Sequence, residues 1–191
     1  MARTRSSEES MISSRRLRLW RSLILLCFAA LAFNRSASAQ NGQDPEAVFI
    51  VRHAEKDTVR NDPGLTRVGT ERAERLAEML SSSAIQAIYT SQYARTRLTA
   101  LPLAGRLNIE PTAVSVTSQD TRPHVDALIA AIRKHHPRKR VLIVSHSNII
   151  HRIVAGFGGD GVEEISEHDY GNLFALVFQP NGKPTLLKLR F

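Results

Sequence analysis

Apolar positions along the chain form short unbroken runs that alternate with longer stretches of helical period. Ala47 to Val51 is apolar throughout, the pattern of a strand buried on both faces. In residues 66–80, Ala73, Leu76, Ala77 and Leu80 share one helical face, and Thr66 stands where a capping hydroxyl is wanted. Residues 85–90 predict a second strand. Residues 94–106 predict a second helix, which Pro102 is expected to kink or interrupt. A short third strand is expected at 112–116. Val125, Leu128, Ile129 and Ile132 mark a helix over 122–135. Residues 141–144 form another apolar strand, with a helix following to about residue 155. Residues 173–178 and 185–189 predict two closing strands around a turn at Pro180-Asn181-Gly182. Strands alternating with helices predict an α/β fold: a three-layer, mostly parallel open sheet with helices on both faces.

The first 39 residues do not fit this pattern. They hold seven arginines (Arg3, Arg5, Arg15, Arg16, Arg18, Arg21 and Arg35) against two acids, Glu8 and Glu9. A basic start, a 12-residue apolar run at 22–33 and the small-x-small end Ala37-Ser38-Ala39 are the parts of a secretory signal. The expectation is an export signal over 1–39, cut after Ala39, and a folded domain over 40–191 placed in the periplasm or secreted. The alternative is an uncleaved N-terminal anchor, although the run falls short of the roughly 20 residues that span a bilayer. Ser14-Arg15-Arg16 leaves Sec and twin-arginine export both open.

Composition matters mainly through this division. The 191 residues carry 26 Lys+Arg and 18 Asp+Glu, a net charge of +8, of which +5 lies in residues 1–39. The remaining +3 gives no reason to expect a nucleic-acid partner. With 42% apolar and 23% charged residues, the chain is neither mainly disordered nor a polytopic membrane protein. The one cysteine, Cys27, lies inside the apolar run, so a disulfide framework and a cysteine zinc site are excluded.

In open α/β sheets, ligands bind beyond the carboxyl ends of the strands. Three strands are followed by Arg52-His53-Ala54-Glu55-Lys56, by Ser91-Gln92-Tyr93-Ala94-Arg95 and by Ser145-His146-Ser147-Asn148. Two arginines and two histidines thus converge on one edge. The arginine fork suits phosphate oxygens, and a neutral imidazole is a nucleophile. Helices beginning near 94 and 147 are expected to aim their positive ends at the same anion. The chemistry this predicts is phosphoryl transfer through histidine.

Four segments, in order, sharpen the reading: Val51-Arg52-His53-Ala54-Glu55-Lys56, Leu65-Thr66-x-x-Gly69, Tyr89-Thr90-Ser91-x-x-x-Arg95-Thr96-x-x-Thr99-Ala100 and Val144-Ser145-His146-Ser147-Asn148. With these the chain resembles the histidine phosphatase superfamily, also called phosphoglycerate-mutase-like, over about residues 47–178. The resemblance implies that His53 attacks phosphorus, that Arg52, Arg95 and His146 bind the phosphate, and that water hydrolyses the phosphohistidine. It implies no cofactor and no metal, and a small phosphorylated substrate. Mutase activity is less expected. The chain looks like the compact members, because nothing between Leu101 and Val141 resembles the usual acid-bearing Glu-x-x-x-Gly-x-x-Glu-Gly segment. Glu55 is then the candidate proton donor, with Asp120 as the other. Ser145 stands where the third motif usually has glycine. A noncatalytic module that binds a phosphorylated ligand is the alternative reading.

Three features read more plainly as structure. The basic run Arg133 to Arg140 ends a helix at the strand end opposite the proposed site. Neighbouring His135 and His136 point apart on a helix, which argues against a shared metal. The glycines of Gly156 to Gly161 follow a helix, where capping explains them better than phosphate binding. His168-Asp169-Tyr170-Gly171-Asn172 is expected to border the pocket.

Overall fold

The structure is a computed structural model and describes residues 42–59, 61–180 and 182–191. Residues 1–39, expected from the sequence to be an export signal and including Cys27, lie outside the described residues. Strand β1 (Ala47–Arg52) leads to helix α1 (Arg67–Leu80), and β2 (Ile85–Thr90) leads to α2 (Ala94–Leu107). The two-residue β3 (Thr112–Ala113) precedes α3 (Arg122–His135), and β4 (Arg140–Ser145) leads into α4 (Ser147–Gly156). The chain closes with β5 (Asn172–Val177) and β6 (Thr185–Arg190). All six strands join one sheet in the order β3-β2-β4-β1-β5-β6. Strands β3, β2, β4 and β1 pair in parallel, whereas β5 runs antiparallel to β1 and β6 antiparallel to β5.

The unbroken apolar runs make sense because both faces of the sheet are covered. On β1, Val48 and Ile50 face α3 and α4, packing with Val125, Leu128 and Ile132 and with Ile149, Ile150 and Ile153. The alternate residue Val51 faces α1 and α2, packing with Leu76, Leu80, Ala100 and Leu103. The expected three layers and mostly parallel sheet are present.

Two elements differ from expectation. Pro102 does not interrupt α2, which runs through it to Leu107 and ends at Asn108 in the left-handed conformation. The third strand is shorter than 112–116. Val114 still donates to the Thr90 carbonyl at 2.9 Å, but beyond it a side chain replaces the partner strand. The Gln92 amide donates to the Val116 carbonyl and accepts from its N–H, both at 2.9 Å.

The regions expected to be structural are so. Arg133 pairs with Asp44 at 2.7 Å and Arg140 with Glu46 at 2.6 Å, at the amino end of β4. The glycine run closes α4: Gly158 and Gly159 donate to the Ala155 and Val154 carbonyls, both at 2.9 Å. Gly158 is free to do so at φ 90° because it lacks a Cβ.

The start of α1 is clamped against the segment after β1. Thr66 caps the helix, accepting from Gly69 N at 3.0 Å, and its own N–H donates to the Glu55 carbonyl at 2.8 Å. A Cβ on Gly69 would lie 2.2 Å from that carbonyl oxygen, where backbone cannot yield cheaply. Gly69→Ala is therefore expected to destabilise the protein by about 2–3 kcal/mol. Urea denaturation checks this, the midpoint falling at unchanged slope; an unchanged midpoint contradicts the clamp.

Candidate active site

Strand register brings the separated motifs together. Arg52 lies beside Ser145 in the β1–β4 ladder, and His53 N donates to the Ser145 carbonyl at 2.9 Å, so His53 and His146 leave the sheet side by side. Their ring centroids are 5.4 Å apart. Strand β2, on the other side of β4, delivers Ser91, whose hydroxyl lies 2.9 Å from His146 Nε2. Thr99 joins the first and second motifs: its Oγ1 accepts from Ala54 N at 2.9 Å and donates to the Arg95 carbonyl at 2.8 Å.

His53 Nδ1 lies 2.8 Å from the Ala54 carbonyl, which can only accept. The ring proton therefore sits on Nδ1, and Nε2 keeps its lone pair. His53 is only 3% exposed and forms the floor of a cleft of about 230 Å³ that Arg95 and His146 also line. The guanidinium of Arg95 stacks over Tyr93 at 4.3 Å, with Asp62 3.8 Å from its Nη1.

Both histidines are held neutral. Burial, with Arg52 and Arg95 acting the same way against the Ala54 carbonyl, lowers His53 from 6.5 to about 4. Burial first, then His53 and Arg95, lowers His146 from 6.5 to about 3. A neutral His53 is available for attack at ordinary pH. In the unfolded chain the same imidazoles take up protons as pH falls through 6.5, while the folded ones do not until about 4 and 3. Their neutral burial thus costs no stability above 6.5, and stability is lost as pH falls toward the folded values. The urea midpoint is expected to decline between pH 6.5 and 4, and less steeply in His53→Gln. Identical slopes for the two proteins would contradict this assignment.

Arg52 is the last residue of β1. It is 2% exposed and lies behind the cleft wall, gripped by the loop between α4 and β5. Its Nη1 donates to the Ser166 and Asp169 carbonyls at 2.9 and 3.2 Å. Its Nη2 donates to Glu167 at 2.9 Å and to the Tyr170 hydroxyl at 3.4 Å, and the Tyr170 ring lies 4.1 Å from the guanidinium. The Nε atoms of Arg52 and Arg95 are among the buried polar atoms left without a partner. Two guanidinium groups with unused donors beside two neutral imidazoles form a seat for an anion.

The sequence assignment of Glu55 as proton donor is corrected by its surroundings. Its carboxylate accepts from Arg72 Nε at 2.9 Å and from Nη2 at 2.6 Å, and it does not line the cleft. Burial raises its pKa, but the Arg72 bonds outweigh this and hold Glu55 below its ordinary value, as a carboxylate. Asp120 is also outside the cleft; hydrogen bonds from the Arg122 side chain hold it at about 2. At the start of α2, Ala94 N donates to both Asp62 carboxylate oxygens at 3.1 Å, so that N–H already serves an anion. The start of α4, at Ser147 and Asn148, does line the cleft.

The carboxylate that does border the cleft is Glu167, which sequence reasoning missed. It accepts from Arg52 Nη2 and from the Ser147 hydroxyl. Residues 160–169 hold five acids, and spacing alone does not single out this one. The neighbouring segment, expected to border the pocket, brings the Tyr170 ring within 6.4 Å of His53 and holds Arg52 through Asp169 and Tyr170. Among the described residues no group of three His, Cys, Asp or Glu side chains could hold a metal ion.

Residues 48–116 match the model of the histidine phosphatase superfamily (branch 1), a segment that includes Arg52, His53 and Arg95. A comparison with curated proteins finds no match. Among solved structures, the chain is similar to the protein histidine phosphatase SixA complexed with tungstate, at 20% identity over 75% of this chain and 96% of that one, with a TM-score of 0.58. It is also similar to a phosphoserine phosphatase from Entamoeba histolytica in complex with 3-phosphoglyceric acid: 15% identity, 78% and 98% coverage, TM-score 0.54. A mycobacterial glucosyl-3-phosphoglycerate phosphatase with inorganic phosphate is similar at 16% identity, 75% and 95% coverage, TM-score 0.51.

Proposed function

We propose, since residues 48–116 match the histidine phosphatase superfamily (branch 1) model, that the chain is an exported phosphatase that hydrolyses a phosphate monoester through a phosphohistidine on His53. The observation that carries this reading is the His53 ring, buried at the floor of the cleft with Nδ1 tied to the Ala54 carbonyl and Nε2 left basic.

The phosphoryl group sits above His53, between Arg95 and His146. Arg95 neutralises its equatorial oxygens, and His146, steadied by Ser91, contacts it from the side. Arg52 contributes charge from behind, through Nε and through Nη2 once that nitrogen is released from Glu167. Nε2 attacks phosphorus, the alcohol leaves toward the mouth of the cleft, and water then attacks the phosphohistidine from the same side. The two arginines supply the positive charge for the transferring phosphoryl group. A cleft of about 230 Å³ suits a phosphoryl group with a small alcohol, or a side chain presented by a larger molecule.

Export rests on residues 1–39, with their basic start, apolar run and Ala37-Ser38-Ala39 end. Expression of the full chain in a bacterial host tests both parts of the proposal. The expected product begins at Gln40, is recovered outside the cytoplasm and hydrolyses p-nitrophenyl phosphate. An active product that retains residues 1–39 overturns the cleaved signal. A correctly processed, folded product that binds phosphate without hydrolysing the ester overturns the enzyme in favour of a binding module.

A further inference from the structure

Expelling an alcohol from a phosphate monoester needs a proton at the leaving oxygen, and neither Glu55 nor Asp120 is placed to give one. On the phosphatase reading above, which this inference depends on, we propose that Glu167 is the general acid and base of the reaction and that substrate binding protonates it.

Placement comes first. The nucleophile is at the closed end of the cleft, with His53 3% exposed, whereas the Glu167 side chain is 69% exposed and lines the same cleft at its open end. A phosphoryl group resting on His53 must point its leaving oxygen toward that mouth, because attack and departure are in line. Glu167 is carried there by the loop between α4 and β5, with one oxygen on Arg52 Nη2 at 2.9 Å and the other on the Ser147 hydroxyl. No other carboxylate lines the cleft among the described residues.

Charge comes second. Among the described residues, the charged and titratable groups around Glu167 are Arg52, Lys56, His53, Tyr93, Arg95 and His146, the two imidazoles being neutral. The Ser147 hydrogen bond, with the charge of Arg52 acting the same way against partial burial, holds Glu167 below its ordinary value, as a carboxylate. A phosphate dianion changes both conditions. It takes Arg52 Nη2 for itself, which removes the cation from Glu167, and it puts two negative charges beside the carboxylate. Each change favours the protonated acid, so the donor is loaded only when there is an ester to cleave.

Neutral His53 Nε2 bonds to phosphorus as the P–O bond to the alcohol breaks, and the Glu167 proton passes to the departing oxygen, leaving the alcohol, phosphohistidine and a carboxylate. Water then gives a proton to that carboxylate as its oxygen bonds to phosphorus and the P–N bond breaks. Inorganic phosphate departs, and His53 and protonated Glu167 are restored.

The test compares kcat/KM for p-nitrophenyl phosphate, whose leaving group needs no proton, with that for phenyl phosphate, whose leaving group does, using the full chain and its Glu167→Gln and Glu167→Asp variants. In Glu167→Gln the ratio of phenyl to p-nitrophenyl phosphate is expected to fall about 100-fold from the unsubstituted protein's ratio, while His53 still becomes phosphorylated by p-nitrophenyl phosphate. Glu167→Asp is expected to recover part of the ratio. An unchanged ratio in both variants, whatever happens to KM, overturns the proposal and leaves Glu167 as an occupant of the anion seat. Failure of the unsubstituted protein to hydrolyse either ester overturns instead the phosphatase reading beneath it.

Discussion

His53→Ala is expected to lower kcat for p-nitrophenyl phosphate on the order of 10⁴-fold or more, with the fold retained. A residue that forms the covalent intermediate leaves only binding and electrostatics behind when it is removed. The substitution is mild structurally. The imidazole makes one side-chain hydrogen bond, to the carbonyl of its own neighbour, and the His53 backbone bond to Ser145 survives. Alanine also relieves the burial of a group that opposes its own protonation. The variant is therefore expected to stay folded near pH 6 while losing its activity. Circular dichroism and steady-state rates on the same preparation check the two halves. Retained turnover, within tenfold, would mean that another group attacks phosphorus.

The second large effect is expected at Arg52, and the conservative change is the informative one. Arg52→Lys keeps the charge but replaces a planar fork with a single ammonium. In the structure the fork serves the Ser166 and Asp169 carbonyls, Glu167 and the Tyr170 hydroxyl together, and lies 4.1 Å over the Tyr170 ring. Lysine has three donors for these four acceptors and cannot stack in the same way. Acceptors left unsatisfied are expected to cost about 1–3 kcal/mol of stability. The 166–170 loop would lose its anchor to β1, and the phosphate would lose the Nε donor. A fall in kcat/KM of about 100-fold is expected beside the stability loss. Urea denaturation and kinetics report the two separately. If Arg52→Lys keeps its rate and midpoint, Arg52 acts as a bare charge and its geometry is irrelevant.

The pattern of apolar residues was enough to place the sheet, because strands covered on both faces must be apolar throughout. Val48 and Val51 point to opposite layers yet are equally buried. The strand-end rule then located Arg52, His53, Arg95 and His146, since chemistry that needs convergent side chains must use the edge where parallel strands end. What stayed hidden depended on side-chain pairing. Glu55 looked like a donor because it is two residues from His53, but Arg72, seventeen residues further along, takes its carboxylate. Glu167 was invisible for the converse reason: it belongs to no motif and comes near Arg52 only because the loop before β5 folds back over β1. The end of β3 was misjudged because no period reveals that the Gln92 amide stands in for a strand.

The claim on which the rest depends is a covalent bond between phosphorus and His53 Nε2. Rapid quenching of the full chain with phosphorus-labelled substrate, followed by peptide mapping, tests it directly. The label is expected to be stable to base, labile to acid and located on His53, and absent from His53→Ala. Turnover without any labelled protein, or label on a different residue, would contradict it.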